Sequence, residues 1–598
     1  MLQKLYAKPL PSSRIGALYN AFSYPTKISP EAIAIFIATH TKPGDLVLDT
    51  FGGSGTTGLA TLLCDKPTAS IKQMAVDLGV KPTWGPRRAV LYELGVLGAF
   101  ISKTMCNPPP AAAFDEAAKK LIDIAEASVG WIYQAKDPNG LVGQIRHAIW
   151  SDLLICPHCK KESLYSDVAV KRNPLRFIDY FVCPHCRQRA DLDQVEHATE
   201  SAFDPLTKQK ITGKKRKLAI IYGQTNGKNW QRKANADDTA FLKKIGRVQM
   251  PKCVPVVKME WGDLQRNGYH KGISHIHHFY TFRNLLAMAK LWEGIDKFDP
   301  AIQNALRLLV LSYNASHSTL MTRVVAKKDQ TDFVLTGAQT GILYVSSLPV
   351  EKNIFEGLRR KTKVLREAFA TVYGSKSQVH VFNASSTKLN LTSKTVDYVF
   401  TDPPFGDYIP YAELSQINEA WLGTVTRRAD EIIVSPAQGK DVSAYARLMG
   451  SVFSEIMRVL KDEGKATVVF HSAKAAVWRA LAGAYTSAGL AVRASSVLDK
   501  LQVSFKQVVS TVSVKGDPLL LLAKDHRLSV DRCTRTGENE HIMREVLTQA
   551  ALEIEDSEER TAERLYSRYV SRCLETGVSV TMNAASFYDQ VREVEGIR

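Results

Sequence analysis

Strand-like and helix-like segments alternate at both ends of this chain, and between them the alternation lapses for roughly 280 residues. That interrupted pattern constrains the fold more than any other feature. A parallel strand pair needs a crossover connection, usually a helix, so alternating strands and helices imply a mainly parallel, doubly wound α/β sheet. The N-terminal part, "KPGDLVLDTFGGSGTTGLATLLC", reads as a turn, a buried strand at Leu46 to Leu48, a glycine-rich turn and a helix. "RAVLYE" is the next strand and ends at Glu93. The pattern resumes with "QVHVFN" (Gln378 to Asn383) and "VDYVFTDPPF", followed by a helix around Tyr445 to Leu460. Then come the strand "KATVVFH", a helix from Ala473 to about Ser487, and strands near "LAVRASSVL", "QVVSTVSV" and "PLLLLA". A chain of 598 residues exceeds what one core supports, so several domains are expected. They are two halves of the sheet domain at 1–105 and 376–525, an insertion at 106–375 and a helical C-terminal appendage at 526–598, its charges forming a solvated face.

Composition narrows the partners. The net charge of +18 points to a polyanion. "MLQKLYAKPLPSS" lacks the apolar core of a signal peptide, and no run of about 18 apolar residues could span a bilayer. The expected location is the cytoplasm, with no membrane partner. Nine cysteines are few for a disulfide scaffold, and four fall into two "CPHC" pairs, Cys156–Cys159 and Cys183–Cys186, 23 residues apart. Four thiolates in two such knuckles are enough for a closed, tetrahedral structural zinc on a ribbon at about 150–200. His158 and His185 lie inside the knuckles and are not expected as ligands. Cys64, Cys106, Cys253, Cys533 and Cys573 lack such spacing and read as packing residues. "HIHH" at His275 to His278 opens an apparent helix and shows no partner acids, so no metal is expected there.

In "VLDTFGGSGTTG" an acid ends the strand and glycines let the chain turn tightly into a helix, close to any ligand at the strand ends. No Lys stands where a phosphate-binding Walker loop needs one. Glu93 ends the second strand, where a carboxylate can accept both ribose hydroxyls of an adenosine-containing cofactor. In "TDPPF" two prolines stiffen the backbone directly after Asp402 and before Phe405.

Together these motifs resemble the AdoMet-dependent amino-methyltransferases. "LDTFGGSGTT" looks like their cofactor motif, on Asp49, Phe51, Gly53 and Gly55, and the preceding "YPTKISPEAIAIFIATHTKPGD" places Pro25, Thr26 and Lys27 towards the methionine end of the cofactor. "TDPPF" resembles their catalytic motif, and "TDPPFGDYIPYAELSQINEAWL" is most similar to the adenine-specific DNA methylases that carry a zinc ribbon. The likeness covers roughly residues 20–105 and 376–525. It implies a Rossmann-like, class I methyltransferase sheet with S-adenosyl-L-methionine as cofactor. It also implies adenine N6 in DNA as the target, and a setting of restriction-modification or phage defence with other subunits as partners. Asp402, Pro403, Pro404 and Phe405 are then the catalytic set. The Asp402 carboxylate and the Pro403 carbonyl accept the two amine N–H bonds, and Phe405 faces a flipped base. Asn383 stands where relatives often carry an acid towards the cofactor adenine. "DPPFG", with Gly406, also resembles RNA guanine-N2 methylases, so an RNA methyltransferase stays open, as does a noncatalytic nucleic-acid-binding subunit.

Between Thr207 and Lys258 there are 14 Lys or Arg against two acids, Asp237 and Asp238. Tyr222 and Trp230 are interleaved with this charge, as expected of a surface that neutralises phosphates. Lys214, Lys215, Arg216, Lys217, Arg232 and Lys233 are the expected nucleic-acid contacts, within a target-recognition region at about 201–375.

Overall fold

The computed structural model describes residues 5–6, 10–12, 15–327, 330–339, 341–406, 409–500, 516–525, 538–553 and 560–593. The expected strand "QVVSTVSV" and Cys533 lie outside the described residues. The chain divides into two compact units: Met1–Pro108 with Ala368–Ala412 and Thr426–Arg598, and Pro109–Glu367 with Glu413–Val425.

The first unit is built on an eight-stranded sheet. Its strands are β1 (Leu10–Ser12), β2 (Leu46–Asp49), β3 (Arg88–Tyr92), β4 (Gln378–Phe382), β5 (Val396–Thr401), β6 (Leu460–Val469), β7 (Leu490–Lys500) and β8 (Asp517–Lys524). The order is β1-β7-β8-β6-β5-β2-β3-β4. Strand β8 is antiparallel to β6 and β7, and every other neighbouring pair is parallel. Strands buried on both faces read as continuous apolar runs, and β2 and β3 bury Val47, Leu48, Ala89, Val90 and Leu91 in this way. The chain leaves β2 towards β3 on one side and returns to β2's other side with β5. That reversal makes the strands' C-terminal ends beside β2 the usual ligand position in an open α/β sheet.

Helices cover the sheet: α1 (Pro30–His40), α2 (Thr56–Asp65), α3 (Val96–Cys106), α4 (Val442–Val459) and α5 (Ala475–Ser487). Three C-terminal helices, α6 (Asn539–Glu553), α7 (Ala562–Thr576) and α8 (Ala584–Glu593), correct the expectation of an appendage. Arg572 and Glu575 of α7 face solvent, whereas Arg564 of the same helix is buried. Leu565, Tyr569, Val570, Cys573 and Leu574 share one core with Leu520, Leu522 and Trp478, and α7 packs on β7 and β8. Helical spacing of these apolar residues makes the segment a layer of the domain.

In the second unit the long strand Val142–Ile155 is central. Arg216–Thr225 pairs with one part of it, Lys228–Lys233 lies beyond, and Val350–Lys352 pairs on its other edge. Helices Ala111–Val129, Phe282–Ile295 and Pro300–Tyr313 accompany this sheet. The segment between the cysteine knuckles folds into a short helix, Tyr165–Val168, and a hairpin of Val170–Arg172 with Leu175–Phe177. Among the described residues no helix is long and apolar enough to cross a membrane.

Candidate active site

Asp49 closes β2 and is 3% exposed. Its carboxylate accepts hydrogen bonds from the Phe51 N–H at 2.9 Å, the Thr57 hydroxyl at 2.6 Å and the Thr401 hydroxyl at 2.9 Å. Burial raises its pKa to about 6, against the opposing effect of these three donors. Asp49 thus fixes the entry to α2 and also grips the last residue of β5, which directly precedes Asp402. Thr50 and Thr401 approach through their hydroxyls at 3.0 Å, next to the same junction.

The glycine turn is held from the neighbouring strand. Glu93 accepts the Gly53 N–H at 2.7 Å and the Gly95 N–H at 2.6 Å, one on each carboxylate oxygen. Gly53 and Gly55 both have positive φ, +48° and +84°. A Cβ on Gly55 would lie 2.9 Å from Ser102 of α3, so this glycine is required by the close approach of α3 to the turn. Asn383 donates from its side-chain amide to the Glu93 and Leu94 carbonyls at 2.9 Å each, joining the end of β4 to the end of β3. The Pro25–Lys27 segment is near the same turn: a Cβ on Gly53 would meet the Tyr24 ring at 3.4 Å. Thr26 adopts φ +57°, its hydroxyl lies 2.8 Å from the Tyr411 hydroxyl, and Lys27 donates to the Leu18 and Tyr19 carbonyls. The donor set fits an adenosine-containing cofactor. A carboxylate has about four acceptor positions, so Glu93 can hold the turn and still receive ribose hydroxyls.

The Asp-Pro-Pro-Phe loop leaves β5 beside this turn. Asp402 is half-buried and Pro403 buried. The hydroxyl of the fully buried Tyr445, on α4, donates to the Pro404 carbonyl at 2.7 Å. Phe405 is 7% exposed and packs edge-on to Phe470, with ring centroids 5.5 Å apart. Its ring thus braces the loop from the core, in contrast to the open stacking face expected for it. Tyr445, Thr401 and Thr57 are the residues that sequence reasoning missed. Only Thr401 left a signal, by standing next to Asp402.

Cys156, Cys159, Cys183 and Cys186 converge in the second unit, their sulfurs all within 4.8 Å of one another. Cys156 and Cys186 stand 3.6 Å apart, as do Cys159 and Cys183. A tetrahedral ion with metal–sulfur bonds of about 2.3 Å requires sulfurs about 3.8 Å apart. Backbone N–H groups of Cys159 and His185 point at the Cys156 and Cys183 sulfurs, and Lys160 and Arg187, one residue past each knuckle, share φ near +60° (+59° and +61°). The two knuckles are conformational copies. The donor set fits zinc.

With this geometry in hand, residues 6–72 match the model of a DNA methylase family, N6_N4_Mtase. That match supports an AdoMet-dependent amino-methyltransferase. It spans the segment before β2, β2 itself, the glycine turn and α2, and ends before Glu93 and Asp402. A solved antibiotic-resistance methyltransferase, Kmr, matches at 16% identity over 28% of this chain and 73% of that one, with a TM-score of 0.16; a superposition that poor says nothing about this fold. No curated protein matches the chain.

Of the six expected nucleic-acid contacts, the side chains of Lys214, Arg216 and Arg232 are turned inward, whereas Lys217 and Lys233 are exposed. Lys214 is 4% exposed and pairs with the fully buried Asp152 at 3.1 Å, and Arg216 reaches the same carboxylate at 2.7 Å. Burial alone would raise Asp152, but His197, Arg216 and Lys214 together hold its carboxyl down at about 2. Lys215 pairs with Glu162 at 2.7 Å, Arg232 with Asp238 at 2.6 Å and Lys233 with Asp167 at 3.2 Å. Lys217 is exposed. Lys214 ends one strand and Arg216 begins the next, and from either side of that junction both reach one carboxylate distant in sequence. "HIHH" is corrected as well, because Asp204 supplies the missing acid. His277 Nε2 and His278 Nε2 lie 2.9 and 3.2 Å from one Asp204 oxygen. His278 Nδ1 accepts backbone N–H groups of Ser274 and His275, so its proton sits on Nε2 and faces Asp204. This is a carboxylate clamping two imidazoles.

Proposed function

We propose that this protein transfers a methyl group from S-adenosyl-L-methionine to the exocyclic N6 of adenine in DNA, in a restriction-modification or phage-defence setting. One observation carries the reading: Asp49 links the glycine turn of β2 to Thr401, and so to Asp402, across two adjacent strand ends at the sheet's switch point. The family match to DNA methylases supports DNA as the substrate.

When bound, AdoMet supplies an electrophilic methyl sulfonium. The chain's own residues prepare the amine. An exocyclic amine is a poor nucleophile because its lone pair is delocalised into the ring. The Asp402 carboxylate accepts one N–H bond and the Pro403 carbonyl the other, which favours a pyramidal nitrogen with an available lone pair. The prolines fix the backbone in advance, and Tyr445 engages the neighbouring Pro404 carbonyl, so the loop does not need to reorganise when the base arrives. Gly53, Glu93 and Asn383 form the cofactor end, with Pro25, Thr26 and Lys27 alongside. The four cysteines hold a structural zinc, closed to water and outside the chemistry.

A second reading, an RNA methyltransferase acting on guanine N2 or adenine N6, rests on Gly406 following the motif. Incubation of the protein with methyl-labelled AdoMet and DNA or RNA, followed by nucleoside mass spectrometry, separates the two. N6-methyldeoxyadenosine is the expected product. Label confined to RNA would replace the first reading with the second, and no transfer to either would refute both.

A further inference from the structure

Ion pairing redistributes the positive charge of the second unit. Two of the carboxylates that answer the basic run, Glu162 and Asp167, come from the cysteine ribbon and bind Lys215 and Lys233. Between Cys156 and Asp191 the ribbon carries seven Lys or Arg against four acids, and these two acids are therefore drawn away from its own cations. Lys171, Arg176, Arg187 and Arg189 are all exposed, and among the described residues none of them makes an ion pair.

Three of these cations are gathered in one place. Lys171 and Arg176 are direct partners across the hairpin, a position in which like charges repel and destabilise. Tyr180 pairs with Asp191, which makes Arg189 its diagonal neighbour on the same face. The Arg189 guanidinium lies 4.1 Å from the Tyr180 ring centroid and Lys171 Nζ lies 5.5 Å from it. Hydrogen bonding by Lys171, with the charges of Lys171, Arg189 and Arg176, holds the Tyr180 phenol below its ordinary pKa. An aromatic face attracts cations without neutralising them. The ring therefore keeps the positive charges close together and leaves them unsatisfied towards solvent.

We propose that the Lys171–Arg176–Arg189 face of the ribbon docks the sugar-phosphate backbone of the nucleic-acid substrate, a proposal that rests on the reading of this chain as a nucleic-acid methyltransferase. Charge complementarity selects the occupant. A duplex presents about one phosphate charge per 1.7 Å of axis, and such contacts set position and affinity without reading sequence. Unlike the ion-paired Lys214 and Arg216, these side chains need break no internal pair to reach a phosphate.

The test uses the full chain with the triple reversal K171E/R176E/R189E and a fluorescently labelled DNA duplex, with binding followed by anisotropy across a salt series. The variant should bind at least about tenfold more weakly to every duplex sequence, and the slope of log affinity against log salt should flatten by about 2 to 3, near 0.9 per lost phosphate contact. AdoMet binding and metal content should not change. The neutral variant K171Q/R176Q/R189Q should show a smaller shift in the same direction, and it decides the matter should the reversal disturb folding. Wild-type affinity and slope in both variants would overturn the docking face, and DNA methylation by the wild type would then leave the methyltransferase reading intact. A wild-type protein that binds neither DNA nor RNA would overturn both.

Discussion

The Asp49 carboxylate is buried, and burial moves its pKa from 3.8 to about 6. The folded state therefore holds this proton at pH values where the unfolded chain has lost it. Ionisation opposes folding, so stability falls as pH rises from about 4 to about 6, by an amount on the order of 3 kcal/mol. Asp49→Asn, which has no charge to lose, should remove that fall in denaturant melts across this range; an unaltered pH slope would show that Asp49 is not the titrating group. Asp402 makes a different prediction. Asp402→Ala should reduce methyl transfer by at least about 100-fold while AdoMet affinity changes little, if the carboxylate faces the base as proposed. Equal losses in both assays would place Asp402 at the cofactor instead. Neither residue announces its role alone. Asp49 stood out as a strand-end acid, but its grip on Thr401 joins positions 352 apart in the chain, and no local pattern encodes that.

At the scale of elements, the two knuckles and the basic run between Thr207 and Lys258 behave differently. Cys156→Ser or Cys186→Ser should lower metal content from about one zinc per chain and lower the melting temperature, with catalysis by the remaining folded protein nearly preserved, since a closed site takes no part in the chemistry. A metal-free preparation with an unchanged melting curve would remove zinc from this account. Arg216→Ala should remove one of three partners of the fully buried Asp152, leaving Lys214 and His197, at a cost of about 1.5–3 kcal/mol. A loss of nucleic-acid affinity with no loss of stability would restore the basic run as a binding surface. The knuckles were legible because their ligands repeat at a fixed short spacing. In the basic run between Thr207 and Lys258 charge could be counted along the chain, whereas its neutralisation at Lys214 and Arg216 could not. Lys214 finds Asp152 across 62 positions, and only pairing of Arg216–Thr225 with Val142–Ile155 brings them together.

For the molecule as a whole, the C-terminal helices decide whether the sheet domain stands by itself. Leu520 and Leu522 of β8 share a core with Tyr566, Tyr569 and Phe587, so removal of residues 526–598 would bare a continuous apolar face. The truncated chain should be insoluble or lack cooperative melting; a soluble, cooperatively folding truncation would show that these helices are dispensable. Sequence by itself determined the mainly parallel part of the sheet, because strand–helix alternation and buried apolar runs are local patterns. It also determined the cysteine knuckles and the order of the cofactor-type and catalytic-type motifs, because each is a short fixed spacing. Only the tertiary structure decided which charges are neutralised, that Phe405 braces the core, that Asp204 clamps the histidines, and that the charged C-terminal helices are a packed layer. Each of these depends on partners distant in the chain, and burial and pairing energies are set by what the fold brings within a few ångströms.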